Sequence, residues 1–410
     1  MKGFTTRAIH GGMPGPEAHG ALRTPVYDTV AYEHEDARSL QLAFEGRKPA
    51  HVYSRITNPT VQDLEQKLRL LSGGMAVLAV SSGMAAISNT VLALAEAGAN
   101  IVTSRHLFGN TISLFEKTLA PWGLEVRYVD MTDPDAVEQA IDANTRALYL
   151  ESITNPQLEV ADCALVAEIG TGRNVPLVVD NTLMTPYLFA TAGAGVAVEL
   201  LSSTKYISGG ATSLGGIIID NGTFDWHHAP RLAEGARRTG PMAFIGGLRQ
   251  EVYRDTGACL APHNAYLQSL GLETMGLRID RSCANAMRIA RYLAEHPAVR
   301  SVHYPGLPDS PFHDTARRQF GGRFGGILTF DLEDRSSCFS LMDRLRVIRR
   351  ATNINDNKTL ILHPHSTIFA EYTDGEKKAM DIRPTMLRLS AGIEDHDDIL
   401  EDLEEALKTA

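Results

Sequence analysis

The sequence predicts an α/β fold with a mainly parallel sheet, followed by a smaller α+β domain. From about residue 61 to 255, short apolar runs typical of buried strands alternate with stretches of helical periodicity. Strands that alternate with helices favour a mainly parallel sheet with helices on both faces. Beyond about residue 255 the alternation ends. We therefore expect an N-terminal arm at 1–60, a large domain at 61–255 and a second domain at 256–410.

The individual elements follow from the length and pattern of each run. In the large domain, strands are expected at 76–80, 100–103, 124–129, 146–150, 176–180, in the run that begins at Val196, and at 215–220. Helices are expected at 83–95, 110–119, 133–141 and 161–170. Because the 215–220 run follows Lys205 closely, we expect it to pair antiparallel with the strand before it. The second domain is expected to contain helices at 262–272, 280–296, 337–345 and 395–407, and strands at 299–304 and 326–332.

The N-terminal arm shows little periodicity, and glycine and proline punctuate it. An arm of this kind is either disordered or wrapped over a partner. At its end, Asn58-Pro59 precedes an apolar-periodic stretch and predicts a helix start. Tyr53 and Arg55 are two residues apart, so an extended segment would turn both to one side, where they could clamp a phosphate. A surface ion pair is the alternative for Arg55.

Composition and charge exclude several classes of protein. The formal net charge is -10, which argues against a nucleic-acid surface. No apolar run approaches the length of a membrane span, and the N-terminus has no apolar signal-peptide region. The four cysteines are scattered without metal-ligand spacing, so we expect reduced thiols, no metal site and a cytoplasmic location.

Lys205 and Asp180 carry the strongest chemical signal. Lys205 follows an apolar run, and a lysine at the end of a buried strand either reaches solvent or lies in a site. In a site, an amine of lowered pKa is a nucleophile for Schiff-base chemistry. Asp180 ends another apolar run. A pyridoxal 5'-phosphate (PLP) enzyme needs a lysine for the aldehyde and an acid facing the pyridinium nitrogen, so the pair indicates PLP.

Gly83, Phe108 and Asn155 also come just after predicted strands. Ligands of such sheets gather at the carboxyl ends of the strands, so these residues predict a cleft shared with Asp180 and Lys205. Gly83 opens a helix whose free backbone N–H groups and positive dipole end would suit an anion.

Arg388 lies inside an apolar run, where an unpaired guanidinium would be costly. It therefore needs an anionic partner. A substrate carboxylate would serve through a bidentate fork, and a structural Asp or Glu is the alternative.

Taken together, these segments resemble the PLP-dependent enzymes of cysteine and methionine metabolism, the cystathionine gamma-synthase group. The resemblance covers nearly the whole chain, from Thr6 to the terminal helix. The motifs that carry it are Tyr53-Ser-Arg55-Ile-Thr-Asn-Pro-Thr, Ser82-Gly-Met84, Val179-Asp180-Asn-Thr182, Ser202-Ser-Thr204-Lys205-Tyr, His363-Pro-His-Ser-Thr and Arg388-Leu-Ser-Ala-Gly-Ile-Glu-Asp.

The resemblance implies a PLP-dependent transferase of fold type I, with a seven-stranded type of sheet and a homotetramer of tight dimers. Lys205 would hold the cofactor and Asp180 would face its pyridine nitrogen. The expected phosphate ligands are Gly83, Met84, Ser202 and Thr204 of one chain, with Tyr53 and Arg55 of the neighbouring chain. The expected substrate-binding residues are Asn155, Asn353 and Arg388.

Phe108 stands where most of the family has a tyrosine that stacks on the cofactor ring. Phenylalanine keeps the stacking but removes the hydroxyl, and O-succinylhomoserine sulfhydrylases resemble this chain in that respect. Asn110 stands where methionine gamma-lyases carry a cysteine. The segments 220–226, 255–265 and 351–360 resemble the O-acetylhomoserine sulfhydrylases.

The resemblance therefore implies gamma-replacement, in which an O-acylhomoserine, first of all O-acetyl-L-homoserine, reacts with a sulfur nucleophile to give homocysteine. The alternatives within the family are a methionine gamma-lyase, a cystathionine gamma-synthase or an O-succinylhomoserine sulfhydrylase. An inactive PLP-fold binding protein is the alternative from another class, and intact Lys205, Asp180 and Arg388 argue against it. The sequence leaves open which ester is used and whether sulfide, a small thiol or a carrier protein donates sulfur.

Overall fold

The computed structural model describes residues 3–12, 15, 17 and 19–408. Residues 1–2, 13–14, 16 and 18 of the expected arm and 409–410 of the expected second domain lie outside the described residues. Within these residues the strands form a seven-stranded and a five-stranded sheet, with helices packed around both. The predicted fold class, a sheet domain of α/β type followed by a smaller domain, is confirmed.

The secondary structure follows the chain in this order. The strands are β1 (Ala76–Val80), β2 (Asn100–Thr103), β3 (Glu125–Tyr128), β4 (Thr145–Glu151), β5 (Leu177–Asp180), β6 (Val198–Leu201), β7 (Gly216–Asp220), β8 (Ser301–His303), β9 (Ile327–Asp331), β10 (Arg349–Arg350), β11 (Leu360–Leu362) and β12 (Met386–Ser390). The α-helices are α1 (Phe4–His10), α2 (Ala37–Phe44), α3 (Pro59–Ser72), α4 (Gly83–Leu94), α5 (Gly109–Ser113), α6 (Pro134–Ala140), α7 (Cys163–Gly172), α8 (Thr185–Leu188), α9 (Ala233–Thr239), α10 (Ala243–Gln250), α11 (Val252–Thr256), α12 (Pro262–Glu295), α13 (His313–Phe320), α14 (Arg335–Arg344), α15 (Asp374–Ala379) and α16 (His396–Leu407).

The large sheet has the strand order β1-β7-β6-β5-β4-β2-β3. Its pairs from β6 to β3 are parallel, whereas β7 pairs antiparallel with both β1 and β6. The expected antiparallel pairing beside Lys205 is therefore confirmed. All strands of this sheet except β7 point the same way, so their carboxyl ends meet at one edge.

The large sheet is covered on both faces, which explains why its strands are continuous apolar runs. All five residues of β1 are buried. Val77 and Ala79 belong to one hydrophobic cluster, and Leu78 and Val80 belong to another. Because successive side chains of a strand point to opposite faces, the two clusters are the cores on the two sides of the sheet.

Helix α3 begins where the Asn-Pro signal predicts it. Asn58 caps the helix, its Oδ1 accepting the backbone N–H of Thr60 at 2.9 Å, and Pro59 is the first helical residue. The helix ends at Gly73, whose φ of 75° is the left-handed conformation that glycine adopts without strain.

The N-terminal arm is more ordered than its sequence predicts, because it contains the short helices α1 and α2. In α2 the side chain of Asp36 caps the helix by accepting the Ser39 N–H at 2.6 Å. In α1 the ring of Phe4 packs edge-on against Tyr187, 4.8 Å between centroids. The prediction of an irregular arm is wrong at these two places. Tertiary packing and a side-chain cap stabilise these short helices, and neither contact is visible in the hydrophobic periodicity of the sequence.

Helix α12 replaces two predicted helices. Separate helices were expected at 262–272 and 280–296, whereas a single helix continues through 34 residues. A glycine inside a helix is unfavourable by its low helix propensity unless packing requires it. The structure uses Gly271 for close packing instead: a Cβ there would lie 2.1 Å from the carbonyl oxygen of Ile207. The helix thus runs directly against the segment that follows Lys205.

The small sheet has the order β10-β11-β12-β9-β8. Its central strand β12 pairs antiparallel with β11 and β9 and carries Arg388. All five residues of β12 are buried. Arg388 is thus fixed in the middle of a buried strand.

Among the described residues, no helix combines the length and the apolar character that a membrane crossing needs. The same residues contain no group of three or more His, Cys, Asp or Glu side chains placed to hold a metal ion.

Candidate active site

A cavity of about 380 Å³ lies at the carboxyl edge of the large sheet, where the small sheet faces it. Nine of the residues that the sequence predicts for the site line this cavity. They are Gly83, Met84, Phe108, Asn155, Asp180, Ser202, Thr204, Lys205 and Arg388. The structure thus brings together strand ends that are up to 122 residues apart, from Gly83 to Lys205, and adds Arg388 from β12.

Lys205 lies just after β6 and points its amine at Asn353. The distance from Nζ to the carboxamide Oδ1 is 2.6 Å. The pKa of the Lys205 amine is lowered to about 8, mainly by burial and also by the charge of Arg388, while the charge of Asp356 opposes the shift. An amine with this pKa is partly neutral near neutral pH, as a nucleophile or base must be.

Asp180 ends β5 and is held by Thr182. Its Oδ1 accepts the Thr182 hydroxyl at 2.6 Å and the Thr182 backbone N–H at 3.0 Å. Burial raises the pKa of the Asp180 carboxyl, and the Thr182 hydrogen bonds oppose this. A cation placed against this carboxylate would offset its desolvation and favour the ionised form.

Helix α4 points its N-terminus at the cavity. Gly83 is its first residue, and a Cβ at that position would lie 2.7 Å from the Ser202 Cβ. The glycine therefore allows the helix N-terminus and Ser202 to approach closely. Free N–H groups, a helix dipole and nearby hydroxyls form a cradle that suits a phosphate.

Thr204 contributes to the same wall of the cavity. Its Oγ1 accepts the backbone N–H of Gly215 at 3.1 Å and lies 3.3 Å from the Gly215 carbonyl oxygen. The hydroxyl is therefore fixed in place by the start of β7, and its proton can be donated either to that carbonyl or to a ligand.

Arg388 faces the cavity from the small sheet, and none of its contacts within the described residues is with a carboxylate. Its Nη1 donates to Asn155 Oδ1 at 3.1 Å, and its Nη2 donates to the Thr352 carbonyl oxygen at 3.0 Å and the Asn353 carbonyl oxygen at 3.4 Å. Its Nε is buried without a partner among the described residues. Burial lowers the pKa of the guanidinium to about 9. A structural Asp or Glu, the alternative partner that the sequence allowed, is not what holds it.

Glu151 is a site residue that the sequence analysis missed. This buried carboxylate ends β4 and lines the cavity. Its Oε1 accepts the N–H of Phe108 at 2.6 Å, and its Oε2 accepts the N–H of Asn155 at 3.1 Å. Burial, with the charge of Asp180, raises the pKa of Glu151 well above its usual range. Its place at the end of a predicted strand was the same signal that marked Asp180.

Tyr53 and Arg55 do not line the cavity of their own chain. Both are exposed, and the Arg55 guanidinium lies 5.5 Å from the centre of the Tyr53 ring. Arg55 Nη1 donates to the carbonyl oxygen of Arg254 at 2.5 Å rather than to a carboxylate. The role expected for the pair at a neighbouring chain stays a prediction.

The fit between this cavity and PLP can be tested on the residues present. The backbone N–H groups at the α4 N-terminus suit the phosphate of PLP. The Asp180 carboxylate suits its pyridinium nitrogen. The Lys205 amine suits the cofactor's aldehyde. The carboxylate of an amino-acid substrate could accept a hydrogen bond from Arg388 Nε, which has no partner among the described residues. All four requirements are met within one cavity.

The comparison with protein families agrees with this fit. Residues 5–408 match the family described as Cys/Met metabolism PLP-dependent enzyme. The chain belongs to this family, so it is one of the PLP-dependent enzymes, and the predicted family and cofactor are confirmed.

Known members of the family resemble the chain over its full length. A solved structure of O-acetylhomoserine sulfhydrylase from Wolinella succinogenes is 46% identical, with a TM-score of 0.80, and the match covers 99% of this chain and 100% of that one. A proposed O-acetylhomoserine (thiol)-lyase from Campylobacter jejuni, solved with a pyridoxyl-lysine phosphate, is 32% identical with a TM-score of 0.92 and 99% coverage of both chains. L-Methionine gamma-lyase from Pseudomonas putida is 36% identical, covering 100% of this chain and 98% of the relative.

Proposed function

We propose that this chain exchanges the γ-substituent of O-acetyl-L-homoserine for a sulfur nucleophile, giving homocysteine for methionine biosynthesis. With sulfide the reaction balances as O-acetylhomoserine plus hydrogen sulfide giving homocysteine plus acetic acid. The observation that carries the proposal is the placement of the Lys205 amine and the Arg388 guanidinium in one cavity. The 46% identity to the Wolinella succinogenes sulfhydrylase supports the choice of reaction.

The cavity residues divide between cofactor and substrate. Lys205 would hold the cofactor's aldehyde carbon and Asp180 its pyridine nitrogen. The phosphate would take the Gly83 and Met84 N–H groups and the hydroxyls of Ser202 and Thr204, while Phe108 would stack on the ring. When bound, PLP supplies an electron sink for the carbanion formed at the substrate Cα.

The substrate carboxylate would be oriented by Arg388 and Asn155, with Asn353 beside them. Arg388 Nε is free for this contact among the described residues, and the Asn155 contact fixes the plane of the guanidinium. Such an orientation would turn the substrate Cα–H bond towards Lys205 Nζ. Arg388 is thus proposed as the carboxylate-binding cation of the site.

Lys205 is proposed as the base that takes the proton from the substrate Cα once its amine is free. Its pKa of about 8 lets it gain and lose a proton near neutral pH. Phe108 has no hydroxyl, so it can hold the ring but cannot move a proton. The proton transfers at the reacting carbons therefore fall to the Lys205 amine.

We further propose that two chains share each site within a homotetramer built from dimers. The support is that Tyr53 and Arg55 lie on the surface of their own chain, away from its cavity, with a pair of donors suited to a phosphate. We also propose domain limits near residues 60 and 255 and a cytoplasmic location. They rest on the sequence patterns described above.

The proposed function is tested by supplying the acetyl, succinyl and phosphoryl esters of homoserine, each with and without sulfide. Homocysteine should form from the acetyl ester and depend on sulfide, with Lys205→Ala as the inactive control. The Pseudomonas putida relative makes gamma-elimination the second candidate. If 2-oxobutyrate is released from methionine faster than homocysteine is formed from any of the esters, the chain is a lyase and not a sulfhydrylase.

A further inference from the structure

A chain of two hydrogen bonds leads from Lys205 to a buried carboxylate outside the cavity. Lys205 Nζ donates to Asn353 Oδ1 at 2.6 Å, and Asn353 Nδ2 donates to Asp356 Oδ2 at 2.9 Å. Asp356 is 7% exposed and does not line the cavity. The carboxylate therefore reaches the amine through one carboxamide.

Asp356 determines which end of the Asn353 carboxamide faces the amine. Both of its oxygens accept hydrogen bonds, Oδ2 from Asn353 and Oδ1 from the backbone N–H of Lys358 at 3.1 Å. A carboxylate can only accept, so it holds the NH₂ group of Asn353 and leaves the carboxamide oxygen pointing at Lys205. The reversed carboxamide would place two donors against each other.

The segment that carries this chain of hydrogen bonds is fixed at several points. Arg388 donates to the carbonyl oxygens of Thr352 and Asn353. The backbone N–H of Asn355 donates to Ser390 Oγ at 2.8 Å. Asn353 can therefore turn only about its own side-chain bonds, and the Asp356 contact removes that freedom.

We propose that Asp356 is a positioning residue for the reaction, which holds the Asn353 carboxamide oxygen ready for the amine of Lys205 whenever that amine is free. The inference rests on the proposed function, because that function defines the stage of the reaction at which the Lys205 amine is free. The free amine of this structure is the same chemical species that Lys205 becomes when the substrate amine takes its place. At that stage the Asn353 oxygen fixes the direction of Nζ for proton transfer at the substrate.

The first test measures the amine in the full chain after the cofactor is removed. The pH dependence of Lys205 labelling by an amine-reactive reagent, read by mass spectrometry, gives the midpoint of its titration. Arg388, Asp180 and Glu151 remain in the cavity and act equally in each variant. Asp356→Asn should move the midpoint down by roughly 0.5 to 1 unit, since it removes a negative charge and a contact that favours the protonated amine. An unchanged midpoint would overturn the proposal.

The second test is a double-mutant cycle on the loaded enzyme. Asp356→Asn and Asn353→Ala should each lower kcat roughly tenfold, a part of the effect of a positioned base, and Asp356→Asn should keep KM for the amino acid within about twofold. If Asp356 acts through Asn353, the double variant should be no slower than Asn353→Ala alone. Losses that multiply would show that Asp356 acts by another route and would overturn the proposal.

Matched controls separate positioning from folding and from the proposed function. Asp395→Asn changes an exposed carboxylate that pairs with Arg281, so labelling and kcat should not change. If Asp356→Asn does not fold, Asn353→Leu keeps Asp356, and an unchanged labelling midpoint in that variant would overturn the inference. Because labelling needs no substrate, a wild-type chain inactive on homoserine esters would refute the proposed function and leave this measurement decisive.

Discussion

Arg388 Nη1 donates a hydrogen bond to Asn155 Oδ1 at 3.1 Å, which joins the centre of the small sheet to the loop after β4 of the large sheet. The contact links residues 233 positions apart. Both groups are buried, and the guanidinium keeps an unpartnered Nε within the described part of the chain. A ligand carboxylate that completes this arrangement is held by both parts of the chain at once.

Arg388→Lys should weaken substrate binding more than cofactor binding. Lysine keeps the charge but replaces a planar fork with a single point, so the carboxylate loses one charged hydrogen bond. That loss is worth about 1.5–3 kcal/mol, or about 10- to 100-fold in KM for the amino acid. Steady-state kinetics and titration with PLP check the two effects. A KM unchanged within about twofold would mean that Arg388 does not bind the carboxylate.

Glu151→Gln should damage the site although Glu151 is not expected to contact the substrate. The glutamine NH₂ group would face one of two backbone donors, the N–H of Phe108 or that of Asn155. Losing one buried hydrogen bond and leaving its donor unpaired costs about 1–3 kcal/mol. We expect kcat/KM to fall about tenfold or more.

Glu96→Gln is the matched control for this change, since Glu96 pairs with Arg146 at a partly exposed position away from the cavity. Its kcat/KM should equal that of the wild type. A Glu151→Gln enzyme with full activity would show that the two loops hold Phe108 and Asn155 without this carboxylate.

Glu199 should make the protein less stable as pH rises. Burial raises the pKa of this carboxyl to about 7 from its ordinary 4.5, although Thr191 and Asn181 donate hydrogen bonds to it. Between these values the folded chain binds a proton that the unfolded chain has lost. Its contribution to stability is therefore complete below about pH 4.5 and is lost as pH rises through about 7.

Glu199→Gln removes this titration and should reduce the change in unfolding free energy between pH 5 and 8 by about 3 kcal/mol. Urea unfolding at both pH values measures it. Asp220, buried and with its pKa raised to about 7, keeps part of the slope in the variant. An equal slope in wild type and variant would mean that Glu199 titrates normally in the fold.

The sequence predicts the part of the site that follows from strand direction. Asp180 and Lys205 each follow a buried run, and parallel strands place such residues at one edge. Glu151 also ends a strand of this sheet, so the same rule could have predicted it. In that segment only Asn155 was selected as a site residue. Arg388 was found through its apolar surroundings, which make a lone guanidinium conspicuous.

Contacts between the two sheets lie beyond the reach of such reasoning. The Asn353–Asp356 pair acts on Lys205 from 148 positions away, and no local pattern gives the docking of the small sheet on the large one. The continuity of α12 through 272–280 was not predicted for a related reason, and Gly271 illustrates it. Its role is to let α12 approach the segment after Lys205, and that contact exists only in the folded chain.

Arg55→Ala should weaken PLP binding if the cation serves the neighbouring chain. A phosphate already supplied with N–H donors and hydroxyls gains a bidentate charged contact from such an arginine, so its removal should raise the dissociation constant about tenfold or more. Arg47→Ala is the control, because Arg47 is an exposed arm residue that pairs with Glu45. Its PLP affinity should match that of the wild type.

Hybrids of an Arg55→Ala chain, assayed at PLP concentrations too low to fill its weakened site, and an inactive Lys205→Ala chain decide which chain Arg55 serves. If sites are shared, a dimer of one Arg55→Ala chain and one Lys205→Ala chain has one site with both residues intact and one site with neither. Mixing the variants should then restore part of the activity, and PLP should stabilise the dimer because it binds only the assembled site. Native mass spectrometry establishes that hybrids have formed. Hybrids without regained activity would show that Arg55 acts within its own chain.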